Sequence, residues 1–210
     1  MKHIRSIVAV LLVAVLLCGC GAGVKMEELT GKWEMVSQSP EEEVAYMLDT
    51  MDLYAEERAL VDMSSLKNVL IAEFGPDGSY SFTYDAEANK ACVRKFFTGV
   101  MDALYEGRAT LGTAYGTDLE PMTREEFNQF YVEIYGVASY EFLLDRFVEY
   151  AYDYESLAVP VETGTFKIVG DTLMCTITGE TEAESLGCEL NGDSLKLIYA
   201  DGEEVYTRVK

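Results

Sequence analysis

The sequence predicts an α+β chain built on an eight-stranded antiparallel up-and-down β-barrel. Helical insertions follow strand 1 and separate strands 3 and 4. Three observations predict this. Five short alternating runs close the chain, divided by turn-forming pairs. Three further strand-like runs precede them. The two long stretches in between carry apolar residues at helical spacing.

The C-terminal runs are 165–169, 172–178, 184–190, 194–199 and 203–209. Between them lie Gly170-Asp171, the segment 179–183, Asn191-Gly192-Asp193 and Asp201-Gly202, residues that reach positive φ at little cost and so favour hairpins. A turn at Gly170-Asp171 pairs Ile168 with Leu173 and Phe166 with Cys175. A turn centred on Thr181-Glu182 would pair Leu173 with Leu190, Cys175 with Cys188 and Ile177 with Leu186. A turn at Asn191-Gly192 would pair Cys188 with Leu195 and Leu186 with Leu197. All these pairs are apolar, so one face of the meander is a core. The other face carries Lys167, Thr172, Thr176, Glu189 and Lys196. The facing of the last strand is left open, because a bulge at Asp201-Gly202 would invert it.

At the other end, 29–37 is the first strand. The runs 69–74 and 79–84 form a hairpin around Gly75-Pro76-Asp77-Gly78, which brings the total to eight, the number that closes into a small barrel. The first insertion, about 40–66, has Val44, Met47, Leu48, Met51, Tyr54 and Ala55 at helical spacing after a Ser39-Pro40-Glu41-Glu42 start. The second, about 86–156, reads as a helix over 86–111, a turn over 112–121, and one or two helices from a capping box at Thr123-Arg124-Glu125-Glu126, with a break at Gly136.

The first twenty residues read as a targeting segment. Lys2 and Arg5 precede eleven apolar residues, Ile7 to Leu17, too few to span a bilayer, which takes about 20. The run ends in Leu17-Cys18-Gly19-Cys20, which resembles the lipobox of bacterial lipoproteins. That resemblance implies a signal peptide over 1–19, lipidation at Cys20, a tether over 20–27 and a folded domain over 28–210. The protein would then be extracytoplasmic, held to its bilayer partner through Cys20.

Composition narrows the function. Without Lys2 and Arg5, 14 basic side chains face 37 acidic ones, a net charge of −23 that repels nucleic acid. The one histidine, His3, lies in the targeting segment, so the domain has none for a Ser-His-Asp triad, a Cys-His pair or a histidine metal site. No catalytic motif, EF-hand spacing or Gly-rich phosphate loop is present. The clusters Glu41-Glu42-Glu43, Asp153/Glu155 and Glu180/Glu182/Glu184 read as solvated faces. No enzyme activity, metal or cofactor is expected.

Gly31-Lys32-Trp33, at the head of the first strand, resembles the Gly-x-Trp signature of lipocalins, and the C-terminal meander is similar to the lipocalin-like domains of bacterial lipoproteins. The resemblance covers about half of the domain. It implies that Trp33 closes one barrel end with Arg208 stacked on it. Unlike lipocalins, this chain has its helices before strand 4 and ends on a strand.

Three further groups of residues are candidates. Cys175 and Cys188, placed opposite each other, are either a disulfide or two buried thiols. Leu173, Ile177, Leu186 and Leu197 would line an apolar ligand in a hollow barrel. Tyr140, Phe147, Tyr150, Tyr152 and Tyr154 would form an aromatic contact surface on the second insertion. Function is thus expected to be binding: a small apolar ligand or an envelope component. The alternative is a structural or protein-interaction role with a side-chain-filled barrel and an aromatic helical contact surface.

Overall fold

A computed structural model describes residues 23–49, 51, 53–114, 122–151 and 159–210. Eight antiparallel strands close into a barrel in chain order: β1 (Gly31–Gln38), β2 (Lys67–Phe74), β3 (Ser79–Tyr84), β4 (Glu162–Val169), β5 (Thr172–Ile177), β6 (Glu184–Asn191), β7 (Ser194–Ile198) and β8 (Glu203–Arg208). β8 returns to β1 through the pairs Trp33–Arg208 and Glu34–Thr207, so no sheet edge is left open. Among the described residues six α-helices accompany the strands: α1 (Met26–Leu29), α2 (Glu41–Asp49), α3 (Ala55–Arg58), α4 (Ala86–Ala114), α5 (Arg124–Ile134) and α6 (Tyr140–Ala151). The chain falls into two compact units. One comprises the chain up to Met35, Ala72–Phe82 and Glu162–Lys210; the other comprises Val36–Ile71 and Thr83–Val161.

The barrel unit is filled by its own side chains. Trp33, Phe74, Leu173, Leu195, Leu197 and Tyr206 are almost wholly buried. Rings cross the interior in contact: Phe166 on Phe74 at 5.3 Å, Phe74 on Phe82 at 6.3 Å, and Phe82 on Tyr206 at 6.3 Å. Such edge-on and tilted contacts match the ring quadrupoles. Gly164 sits directly across from Tyr80, whose ring covers it; a Cβ there would lie 2.3 Å from the Thr176 carbonyl oxygen and 2.7 Å from the ring. The β2–β3 turn takes Gly78 to φ +82, and Asp77 accepts from both the amide and the hydroxyl of Ser79, which holds its carboxyl below the usual range.

The meander register differs from the expected one at two turns. Leu173 pairs with Leu186 and Cys175 with Glu184, a four-residue slip. The reversal is centred on Gly179-Glu180, where Gly179 takes φ +95, two residues earlier than Thr181-Glu182. Cys188 pairs with Leu197 and Leu190 with Leu195, because the next turn is Gly192-Asp193 rather than Asn191-Gly192. Both slips are even, so the same side chains still point inward. The β4–β5 pairs Ile168–Leu173 and Phe166–Cys175 stand as expected. In β8, Tyr206 is buried and Val205 and Thr207 are exposed, which fixes the facing that the sequence left open.

The helical unit packs α4 through Val93, Phe96, Phe97, Val100, Met101 and Leu104, one stripe at helical spacing, onto a core that includes Met47, Leu48, Phe127, Leu143, Leu144 and Phe147. The first insertion is not one helix: α2 stops at Asp49, and α3 and a 3₁₀ turn at Met63–Ser65 follow. Thr123 and Glu126 form the capping box that starts α5, and Gly136, at φ +60, separates α5 from α6. Arg94 of α4 pairs with Glu141 and Asp145 of α6, and Arg124 of α5 pairs with Asp102 of α4. Asn89, almost fully buried, accepts from the Val69 amide at 3.0 Å and donates to the Val69 carbonyl at 2.7 Å, in the manner of a neighbouring strand.

Candidate functional site

One end of the barrel, here the tether end, is sealed. The Trp33 indole donates to the Leu29 carbonyl at 2.7 Å, which ties the strand to α1. The Arg208 guanidinium lies 4.0 Å from the ring centroid of Trp33 and donates to the carbonyls of Thr30 and Glu28. Trp33 is completely buried. These are structural contacts: every donor of the fork that is engaged holds backbone.

The far end is formed by the starts of β4, β6 and β8 and the ends of β5 and β7, and it has a different chemistry. Glu204 Oε2 accepts from the hydroxyls of Tyr206 at 2.7 Å and Tyr199 at 2.9 Å. Glu162 Oε1 accepts from Tyr80 at 2.6 Å. β4 and β8 stand on opposite walls of an eight-strand barrel, and both carboxylates lie at this end of it. Burial, with the neighbouring carboxylates, pushes all three tyrosine hydroxyls well above their ordinary range. The hydroxyls therefore stay protonated and keep donating. Glu162 also acts through space on Tyr199 and Cys175, which places these groups in one cluster.

Both glutamates are half-buried, each uses one oxygen for its tyrosines, and among the described residues no arginine or lysine forms a salt bridge with either. The arrangement presents two negative charges rimmed by aromatic rings. Among the described residues no group of three or more His, Cys, Asp or Glu is arranged to hold a metal ion.

The sequence reading missed this cluster. Its signal was a glutamate on the inward face of an otherwise apolar strand. Glu162 was overlooked because β4 begins three residues before the expected start, and Glu204 because the facing of β8 was undecided.

The other candidate residues fall as follows. The Cys175–Cys188 pairing is corrected: Cys175 faces Glu184, while the Cys188 amide bonds the Asp171 carbonyl at 2.8 Å, and both thiols are free. A four-residue offset along a strand, about 13 Å, exceeds the roughly 7 Å Cα separation that a disulfide tolerates. Burial pushes the Cys175 thiol up to about 12 and the Cys188 thiol up to about 11. Leu173, Leu186 and Leu197 are buried in the barrel filling and Ile177 is half-buried. The aromatic set divides: Phe147 belongs to the helical core, where it meets Phe97 and Tyr135, so its place in a contact surface is corrected. Tyr140 is half-buried, and its hydroxyl is pushed up by burial. Tyr150 is exposed beside Arg146. Tyr152 and Tyr154 lie outside the described residues, as does Cys20. No helix among the described residues is long and apolar enough to cross a membrane.

Comparisons with protein-family models, with curated proteins and with solved structures give no match for this chain.

Proposed function

We propose that this protein is an extracytoplasmic lipoprotein, anchored through Cys20, whose lipocalin-like barrel is a non-catalytic binding module for a positively charged organic group on an envelope component. The observation that carries the reading is the pair Glu162 and Glu204, held by Tyr80, Tyr199 and Tyr206 at one end of a barrel that is otherwise filled. A buried apolar ligand would compete for space with the Phe74, Phe82, Phe166 and Tyr206 rings, so the filling favours recognition at the end over carriage inside. Occupying the axis with rings also fixes the tyrosines, so little ordering is needed on binding. The seal of Trp33 and Arg208 at the opposite end supports the lipocalin-like reading.

Two experiments test this. Cell fractionation of the intact chain and of C20S, with mass analysis of the N-terminal peptide, tests the anchor: an acylated Cys20 and release of C20S are expected. Calorimetric titration with a lysine- and arginine-rich peptide tests the site. Losing one half-exposed charge pair costs about 1 kcal/mol, so E162Q and E204Q should each weaken binding roughly fivefold. Equal affinity of the wild type and the E162Q/E204Q double variant would rule out this site.

A further inference from the structure

At the tether end, the backbone at Gly23 is pressed onto the barrel. A Cβ on Gly23 would lie 2.8 Å from the Gly170 carbonyl oxygen, so the tether backbone runs against the β4–β5 turn. An open groove of about 620 Å³ continues this contact, lined by Val24, Met26, Pro76, Phe166 and Ile168 among others. Three peptide links separate Cys20 from Gly23, so their Cα atoms are at most about 11 Å apart. The headgroup layer of one leaflet is about 5–7 Å thick. A lipid on Cys20 would therefore hold the β4–β5 turn at the headgroup surface.

The surface chemistry of the barrel unit agrees. The tether end carries Lys25, Lys32, Lys167, Arg208 and Lys210 against Glu27, Glu28, Glu73, Asp77, Asp171 and Asp193, a net charge of only −1. Lys167 is exposed and forms no salt bridge among the described residues. Two exposed apolar side chains, Val169 (64% exposed) and Val209 (44%), also sit at this end. The far end gathers Glu162, Glu180, Glu182, Glu184, Asp201, Glu203 and Glu204; the base nearest to them, Lys196, is bonded to Glu203 and Glu189. In a chain of net charge −21, the tether end is the end of the barrel that an anionic bilayer repels less.

We infer that the tether end of the barrel, around Val169, Gly170 and Val209, rests on the phospholipid headgroup surface, and that the Glu162–Glu204 end is turned away from the bilayer. This rests on the anchor at Cys20 proposed above. It adds that the barrel is docked in one orientation instead of swinging on a free tether.

The test uses the intact chain with its native anchor, reconstituted in phosphatidylglycerol–phosphatidylethanolamine vesicles with lipids brominated near the headgroup. V169W and T181W each add one tryptophan, at opposite ends, to a background of the buried Trp33. Quenching of the emission added by V169W, with none for T181W, is the expected result. V209W repeats the tether-end measurement should V169W fold poorly. Mass analysis of the N-terminal peptide of the same samples separates the two readings. An acylated Cys20 with no quenching of V169W and V209W, or with stronger quenching of T181W, overturns the docked orientation alone. An unmodified Cys20 overturns both.

Discussion

Removing the Arg208 guanidinium should loosen the sealed end of the barrel by an amount the contacts allow us to estimate. The group lies 4.0 Å from the Trp33 centroid and donates to two carbonyls, those of Thr30 and Glu28. A partly desolvated cation–π contact is worth about 1 kcal/mol. Hydrogen bonds from a charged donor are worth about 1.5 kcal/mol each at the low end, the appropriate choice for a half-exposed residue. Allowing for solvent screening, R208A should cost about 3 kcal/mol. R208K keeps a charge near the ring and loses the planar fork, so it should cost about half as much. For a chain of this size, 3 kcal/mol corresponds to roughly 6–12 °C in Tm. Trp33 is the only tryptophan, so fluorescence during urea unfolding reports on this end directly. Its native emission should also move to the red in R208A, because the indole loses the group that covers it. A loss below about 1 kcal/mol in R208A, or an unshifted Trp33 emission, would refute the view that Arg208 seals the barrel.

Further predictions follow from single contacts. Raising the pH should destabilise the barrel: the unfolded thiols ionise near 8.5, whereas Cys188 and Cys175 hold their protons to about 11 and about 12 in the fold. The unfolded chain thus binds fewer protons in that window. Stability is intact below about pH 8.5 and falls above it by about 1.4 kcal/mol per pH unit for each thiol; C175A/C188A should flatten that part of the urea-unfolding profile. Thiol titration should find Cys175 and Cys188 unreactive in the native state and both reactive in denaturant; a pair that reacts only after reduction would contradict the observed register. N89A leaves the amide and carbonyl of Val69 without their partner and should cost about 3 kcal/mol, read as a lowered midpoint by circular dichroism. G164A forces a methyl against the Thr176 carbonyl and the Tyr80 ring and should cost at least about 2 kcal/mol; an unchanged midpoint would show that Tyr80 can move aside.

How much was legible in the sequence depends on the kind of signal. Alternation and turn residues gave all eight strands, because a two-residue period bounded by Gly-Asp or Asp-Gly is local information. Ser79–Tyr84 is bounded as expected, and the capping box at Thr123 starts α5 where its spacing places it. Register was less legible. The segment 178–183 offers more than one reversal, and choosing Thr181-Glu182 over Gly179-Glu180 moved the pairing by four residues while leaving every inward side chain inward. Burial patterns cannot detect an even slip, so Cys175 and Cys188 looked like partners. The Glu–Tyr cluster was harder still. Glu162, Tyr80, Tyr199, Glu204 and Tyr206 come from β3, β4, β8 and the segment after β7, and only barrel closure gathers them. Trp33 and Arg208 were legible through a resemblance, not through spacing, since 175 positions separate them.

The most direct test is a site-resolved titration of the two carboxylates. The Glu162 and Glu204 carboxyl carbons, assigned by comparison of ¹³C spectra of the wild type with those of E162Q and E204Q, would be followed while n-butylguanidinium is added. Saturable shifts at both carbons, with the carboxyl signals of Glu180 and Glu182 unmoved, are the predicted result. Uniform, non-saturating shifts across all the glutamates would mean that the cation is only screened by an acidic surface, and would contradict a recognition site at the far end of the barrel.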